Sequence, residues 1–296
     1  MANERNDLTS MVLPVMQFCP SDSPALGPKD FKKDSSANPA LERFRVHGNA
    51  IVCGGGGDLG ATACRALVEH GLEGLFVFDL EPVQGNQRLD QLKAAFPSAK
   101  IHFKTVDITK ADDVDKAVEE VVTILGPVHH LLCFAGTVSC APSSEASVEE
   151  WRKVLDINTT GNFIMAQAVG KRMIAAKTGG SVVFVASISG HRVAFPQPQA
   201  AYNVSKAGVI MLKNSLAAEW AVHGIRVNSI SPGYVDSVLN QSDGLDDYRN
   251  VWISRNPMGR MGDREELTGA VVLLASRAGS YINGSDIQVD GGHILC

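Results

Sequence analysis

Short apolar runs rich in β-branched residues alternate with amphipathic stretches from residue 50 to the end of the chain. This alternation narrows the possible folds more than any other feature. The runs are Ala50–Cys53, Leu75–Phe78, Ile101–Val106, His130–Phe134, Ser181–Ala186, Arg226–Ile230 and Ile287–Val289. Between them, apolar residues recurring every three or four positions predict helices over Leu59–His70, Gln87–Phe96, Ala111–Leu125, Val148–Ala176, Tyr202–His223 and Asp263–Ala275. A strand followed by a crossover helix returns parallel to itself, and helices on both faces bury the sheet. The expectation is therefore one α/β domain over residues 47–296, with a doubly wound, parallel, seven-stranded sheet. Residues 1–46 are rich in Ser, Pro, Asn and Asp, have no sustained period, and read as a flexible N-terminal extension.

Charge and cysteine usage narrow the function classes. With 27 basic and 32 acidic residues the formal charge is −5, which argues against a dedicated nucleic-acid binder. No apolar run approaches the ~20 residues a membrane-spanning helix needs, so a soluble protein is expected. The six cysteines form no C-x-x-C pair, which fits free thiols in a reducing compartment. Met11–Phe18 is interrupted by Pro14 and lacks a basic flank. Asp7, Asp22, Asp30 and Asp34 oppose an Arg-rich transit peptide, and a cytoplasmic location is expected.

The first strand runs into Gly54-Gly55-Gly56-Gly57-Asp58-Leu59-Gly60 and then a helix. Glycines there let backbone amides approach a pyrophosphate at the positive helix end, although a tight strand-helix connection would read the same way. The second strand ends at Asp79, 19 residues beyond Gly60. A carboxylate at that place accepts hydrogen bonds from the ribose hydroxyls and repels a 2′-phosphate. No Arg or Lys stands at Gly55, Gly56, Gly57 or Leu80, so NAD is expected over NADP. His129 and His130 are adjacent on a buried strand and point to opposite faces, so no metal site is assigned.

Further along, Tyr202 and Lys206 form Y-x-x-x-K on one helix face, preceded by Asn158 on an earlier helix and by serines after a strand. Together with the glycine turn, this set resembles the short-chain dehydrogenase/reductase family and its T-G-x-x-x-G-x-G pattern. Cys53 stands where the family has Thr, and Asp58 where it has the middle Gly. An acid beside a pyrophosphate is unfavourable unless it faces away or caps the helix. Cys133-Phe134-Ala135-Gly136 stands where the family has N-N-A-G, and Asp107-Ile108 matches its adenine-contacting pair. Ser231-Pro232-Gly233-Tyr234-Val235-Asp236-Ser237 resembles its P-G-x-[VI]-x-T segment.

The resemblance implies a Rossmann-type sheet and a cofactor site. That site comprises Gly54, Asp58, Leu59, Gly60, Asp79, Asp107, Ile108, Ala135, Gly136, Tyr202, Lys206, Pro232, Gly233, Val235 and Ser237. It also implies the catalytic set Asn158, Ser187, Tyr202 and Lys206. For the serine, spacing favours Ser189, thirteen residues before Tyr202, whereas the text Ala186-Ser187-Ile188-Ser189-Gly190 favours Ser187. Ser187 is preferred. On an extended segment both hydroxyls would point the same way, leaving Ser189 able to contact substrate.

In the mechanism so implied, Tyr202 takes the alcohol proton as hydride leaves for nicotinamide. Tyrosine titrates near 10, so lowering it by about three units takes roughly 4 kcal/mol, to come from the Lys206 ammonium and the nicotinamide charge. Ser187 would bind the substrate oxygen and Asn158 a proton-passing water. Val238 to Met261, with Trp252 and Met258, is positioned like a substrate lid. Subfamily text such as Pro196-Gln197-Pro198-Gln199 resembles the sugar-alcohol branch, with galactitol, arabinitol, xylitol and mannitol dehydrogenases, which implies a polyol/ketose pair. The alternatives are an NAD(P)H-dependent ketone reductase of fatty-acid or secondary metabolism and a non-catalytic nucleotide-binding regulator. The family's habit implies a homotetramer built through the helices of Asn158 and Tyr202 and the C-terminal segment ending Ile294-Leu295-Cys296.

Overall fold

A computed structural model describes residues 14–19, 38–80, 82–193, 195–237, 240 and 243–295. Most of the expected N-terminal extension, four positions of the expected lid (238, 239, 241 and 242) and Cys296 lie outside the described residues.

Seven parallel strands form one sheet: β1 (Asn49–Cys53), β2 (Gly74–Asp79), β3 (Lys100–Thr105), β4 (His130–Cys133), β5 (Gly180–Val185), β6 (Ile225–Pro232) and β7 (Asp286–Val289). Their order is β3-β2-β1-β4-β5-β6-β7, the doubly wound Rossmann arrangement. The chain reverses direction across the sheet between β1 and β4, and ligands of such sheets bind at the carboxyl ends beside that switch point. The five central strands are buried on nearly every residue because helices cover both faces. Edge strands β3 and β7 are only partly covered.

The helices are α1 (Pro39–Arg43), α2 (Asp58–Glu69), α3 (Pro82–Ala95), α4 (Ala111–Leu125), α5 (Val148–Leu155), α6 (Asn162–Ala176), α7 (Ala200–Trp220), α8 (Asp246–Ser254) and α9 (Thr268–Ala275). One core packs Phe76, Phe78, Val118, Met165 and Trp220 on one face of the sheet, and a second packs Leu67, Leu75, Val183 and Val271 on the other.

Four departures from the sequence expectations have local causes. The periodic stretch Val148–Ala176 is broken by a π-helical turn, Asp156–Gly161, which holds Asn158. Asp263 caps a 3₁₀ turn, Arg264–Leu267, through a capping box with Glu266, so α9 starts later than its periodicity implied. The stretch taken as a lid contains α8, whose Trp252 is buried. The packed body also begins before residue 47, because α1 precedes a fully buried Val46 whose amide donates to the His70 carbonyl at 2.8 Å.

Candidate active site

The nucleotide side of the crevice is made largely of backbone. Gly54 has φ +75°, and a Cβ there would stand 2.3 Å from the Ala135 nitrogen, so only glycine lets the turn pass under the loop after β4. A Cβ on Gly60 would stand 2.1 Å from the Gly54 carbonyl oxygen, which seats α2 directly on the turn. At Gly57 a Cβ would meet only one atom, at 3.5 Å, so that face of the turn is open. Among the described residues no side chain caps α2, and the Leu59 and Gly60 amides sit in its first turn, where the helix end carries partial positive charge.

Asp79 closes this turn from β2. One carboxylate oxygen accepts from the Gly56 amide at 2.8 Å, the other from the Leu80 amide at 2.7 Å. The carboxylate of Asp58 is almost buried and is ion-paired with Arg88 from α3, with the Arg264 guanidinium 3.9 Å away. Arg88 also donates to the Gly56 carbonyl at 2.7 Å. Asp58 thus stands in the first turn of α2 with its charge met by arginines, which answers the cost of an acid beside a phosphate site. No base stands at Gly55, Gly56, Gly57 or Leu80, yet Arg88 reaches the turn through the tertiary fold. Its distance along the chain and the weak apolar periodicity of α3 leave no cue for that contact.

Past β3, Asp107 accepts from the Thr109 amide at 2.9 Å and hydroxyl at 2.7 Å, bonds that hold its carboxyl below the usual range. Ile108 is buried against Gly161, where a Cβ would come within 2.8 Å of it.

The catalytic candidates gather across the switch point. Tyr202 and Lys206 lie one turn apart near the start of α7, with the Lys206 Nζ 5.6 Å from the centre of the Tyr202 ring. The ammonium donates to the Val185 carbonyl at 2.8 Å, and burial pulls its pKa down from 10.5 to about 8. Asn158 is fully buried in the π turn, a local widening frequent at functional sites. Its Oδ1 accepts from the Thr137 amide at 2.8 Å, and its Nδ2 donates to the Thr137 carbonyl at 2.8 Å and the Ser205 hydroxyl at 2.9 Å. A Cβ on Gly136 would stand 3.2 Å from Asn158 Oδ1 and 3.5 Å from Lys206 Nζ, so that glycine keeps a space open in front of both.

The two serines separate. Ser187 lies close enough to the Tyr202 hydroxyl to work against the rise that burial imposes on the phenol. Ser187 also caps a 3₁₀ turn, Ile188–Gly190, by accepting from the Ser189 amide at 3.1 Å. The segment is therefore not extended beyond Ser187, and the expectation that both hydroxyls share a side gives way. Ser189 accepts from Gln199 Nε2 at 3.1 Å instead.

After β6, the Asp236 amide donates to the Gly262 carbonyl at 2.8 Å and the Gly262 amide to the Tyr234 carbonyl at 2.9 Å, bracing the loop that carries Val235 and a buried Ser237. Gly233 lies against Asp290, where a Cβ would come within 2.8 Å. A cavity of about 400 Å³ nearby is lined by Tyr234, Asn256, Arg260, Glu266 and Asp290, and by none of Asn158, Ser187, Tyr202 and Lys206. His129 and His130 are structural: His130 bonds the His47 carbonyl at 2.8 Å, and burial pulls its pKa down to about 4. Among the described residues no group of three potential ligands could hold a metal ion, and the five described cysteines are unpaired.

The family model described as an enoyl-(acyl carrier protein) reductase matches residues 57–293. An NADP-dependent mannitol dehydrogenase of Hypocrea jecorina is 36% identical over 263 residues, spanning 87% of this chain and 97% of that protein. The chain belongs to the short-chain dehydrogenase/reductase family. A galactitol 2-dehydrogenase of Rhizobium johnstonii is 35% identical, spanning 85% of this chain and 97% of its own length. Among solved structures, a short-chain type dehydrogenase/reductase from Mycobacterium marinum superposes with a TM-score of 0.82 at 35% identity, over 86% of this chain and 99% of that one.

This short-chain dehydrogenase/reductase is accordingly an oxidoreductase that transfers hydride between a nicotinamide dinucleotide and a CH–OH group. The open face at Gly57, the uncapped first turn of α2 and the space beside Gly136 fit such a cofactor. Bound there, it supplies the hydride acceptor and, when oxidised, a positive ring. Burial pushes the Tyr202 phenol above its ordinary value, and the Ser187 hydrogen bond works only partly against that. The same burial makes the Lys206 ammonium easier to lose, so the lysine by itself does not produce a low phenol pKa.

Proposed function

We propose that residues 47–296 act as one catalytic domain that interconverts a polyol and its ketose, with NAD preferred over NADP. Tyr202 exchanges the hydroxyl proton, Ser187 binds the reacting oxygen, Lys206 holds nicotinamide ribose hydroxyls and Asn158 positions a water between Thr137 and Lys206. The observation that carries the reading is a buried, carbonyl-bound Lys206 one helical turn from Tyr202, its Nζ 5.6 Å from the ring centre, with Asn158 sharing the space kept open by Gly136. The relatives named for mannitol and galactitol support the substrate class.

Gly54, Leu59 and Gly60 would hold the pyrophosphate, and Asp79 the adenosine ribose. Asp58 serves through its pairing with Arg88. Asp107, Ile108, Ala135 and Gly136 would border the adenosine. Pro232, Gly233, Val235 and Ser237 would hold the nicotinamide carboxamide, with Ser189 bordering the substrate. A specific observation favours a second reading: Arg88 on the Gly56 carbonyl brings a guanidinium to the turn, which suits the 2′-phosphate of an NADPH-dependent ketone reductase.

The proposal includes a cytoplasmic homotetramer. Trp151, Phe163, Val204 and Met211 are large apolar side chains exposed on α5, α6 and α7, the helices through which such an assembly would form. Calorimetric titration with NAD, NADH, NADP and NADPH, followed by a ketose and polyol screen, tests the reading. Tight NADH binding with weak NADPH binding and ketose reduction are expected, and no dinucleotide binding would end it.

A further inference from the structure

Two donors converge on one oxygen beside the catalytic helix. Gln197 Oε1 accepts from the Tyr234 hydroxyl at 2.9 Å and from the Trp252 indole N–H at 3.0 Å. An indole nitrogen only donates, so the atom facing it is the carboxamide oxygen and the orientation of the amide is chemically fixed. Trp252 is fully buried and stacks on Tyr234 with ring centres 4.2 Å apart and planes 9° from parallel. Both acceptor positions of Gln197 are thereby filled. Its Nε2 branches away from this pair, and among the described residues nothing accepts from it.

The segment carrying Gln197 is held on both sides. The Ala141 amide donates to the Pro198 carbonyl at 2.9 Å, and Gln199 donates to Ser189 at 3.1 Å and to Asn203 at 3.1 Å. Tyr202 lies five positions further on. The Tyr234 phenol is pushed up by burial and, to a lesser degree, by the Tyr202 phenol.

We propose that Gln197 is a specificity-determining residue whose Nε2 donates to a hydroxyl of the polyhydroxylated substrate other than the one at the reacting carbon. This rests on the polyol/ketose reading above. A neutral donor immobilised before the substrate arrives suits a neutral hydroxyl chain, whereas a bare ketone would cover the amide and leave it unpaired. The contact with Trp252 also links α8 to substrate choice.

The test compares two substrates in the full-length protein: the best of D-fructose, L-sorbose, D-ribulose and D-tagatose, and 2,3-butanedione, an activated ketone without hydroxyls. Gln197→Glu retains an acceptor for Tyr234 and Trp252 but has no donor, and Gln197→Met lacks both. In each, the ratio of kcat/KM for the ketose to that for the diketone is expected to fall about tenfold or more, because a site built to bond a hydroxyl discriminates through that bond. NADH titration by calorimetry verifies a folded cofactor site in each variant. A ratio within about twofold of the parent, including a parallel fall of both rates, overturns the assignment, because a purely packing role moves both substrates together. A parent that reduces no polyhydroxylated ketone overturns the substrate class and this inference with it. A ketose-reducing parent with an unmoved ratio overturns Gln197 alone.

Discussion

The two walls of the crevice are built on opposite principles. The wall proposed for the nucleotide is backbone: Gly54 and Gly60 let strand, turn and helix approach more closely than any Cβ would permit, and Asp79 ties the Gly56 amide at 2.8 Å. The wall proposed for substrate is side chain: Gln197, Tyr234 and Trp252 come from three separate segments and meet through amide, hydroxyl and indole groups. A dinucleotide presents the same phosphates and riboses to every member of a family, so a short turn of fixed geometry can meet it. Substrates differ among members, and side chains on separate loops can be exchanged without disturbing the sheet. Tyr202 and Lys206 stand between the walls on α7, the longest helix among the described residues.

Damage to one wall at a time separates their contributions. Tyr202→Phe is expected to lower kcat by about a thousandfold while NADH affinity stays within a few-fold of the parent, read by steady-state kinetics and calorimetry. Parallel loss of both would mean that the walls are not independent.

Of the two serines, Ser187→Ala is expected to cost about a hundredfold in kcat and Ser189→Ala less than about tenfold, because Ser187 acts on the Tyr202 phenol while Ser189 is bonded to Gln199. Collapse of the Ser189 variant alone would transfer the catalytic role to that residue.

Lys206→Met is expected to lose turnover yet stabilise the fold by about 2 kcal/mol at pH 7, as read by denaturant unfolding. The lysine is 4% exposed and its pKa falls from 10.5 to about 8, so folding buries a charge it disfavours. Loss of the bond to Val185 offsets part of the gain. Because the native pKa is depressed for a base, the penalty is full below about 8 and disappears as pH rises toward 10.5. The advantage of the variant should shrink over that interval, and an advantage that grows with pH would reverse the assignment.

On the nucleotide wall, Asp79→Ala is expected to move the NAD to NADP affinity ratio about tenfold toward NADP, with Arg88 near the turn to meet a 2′-phosphate. An unchanged ratio would remove Asp79 from cofactor choice.

The sheet and the nucleotide turn were legible because both are local. Strand runs such as Leu75–Phe78 announce burial on both faces, and the glycines between Gly54 and Gly60 stand together in the chain. Asn158, Ser187, Tyr202 and Lys206 could be named from motif text, but the local pattern left Ser187 and Ser189 open. The 3₁₀ turn that separates them depends on the Ser187 cap, a bond between a side chain and the Ser189 amide. The π turn at Asn158 was hidden for a similar reason, since apolar spacing runs through it nearly unchanged.

The order of strands and helices, the glycine turn after β1 and the residues of α7 follow from the chain's local patterns, because periodicity and glycine spacing act over a few residues. Only the tertiary structure decided that Arg88 neutralises Asp58, that burial lifts the Tyr202 phenol and lowers the Lys206 amine, and that Trp252 orients Gln197. Each of these depends on which distant groups share a dry volume, where charge and unpaired hydrogen bonds become costly, and that proximity is set by packing of the whole sheet.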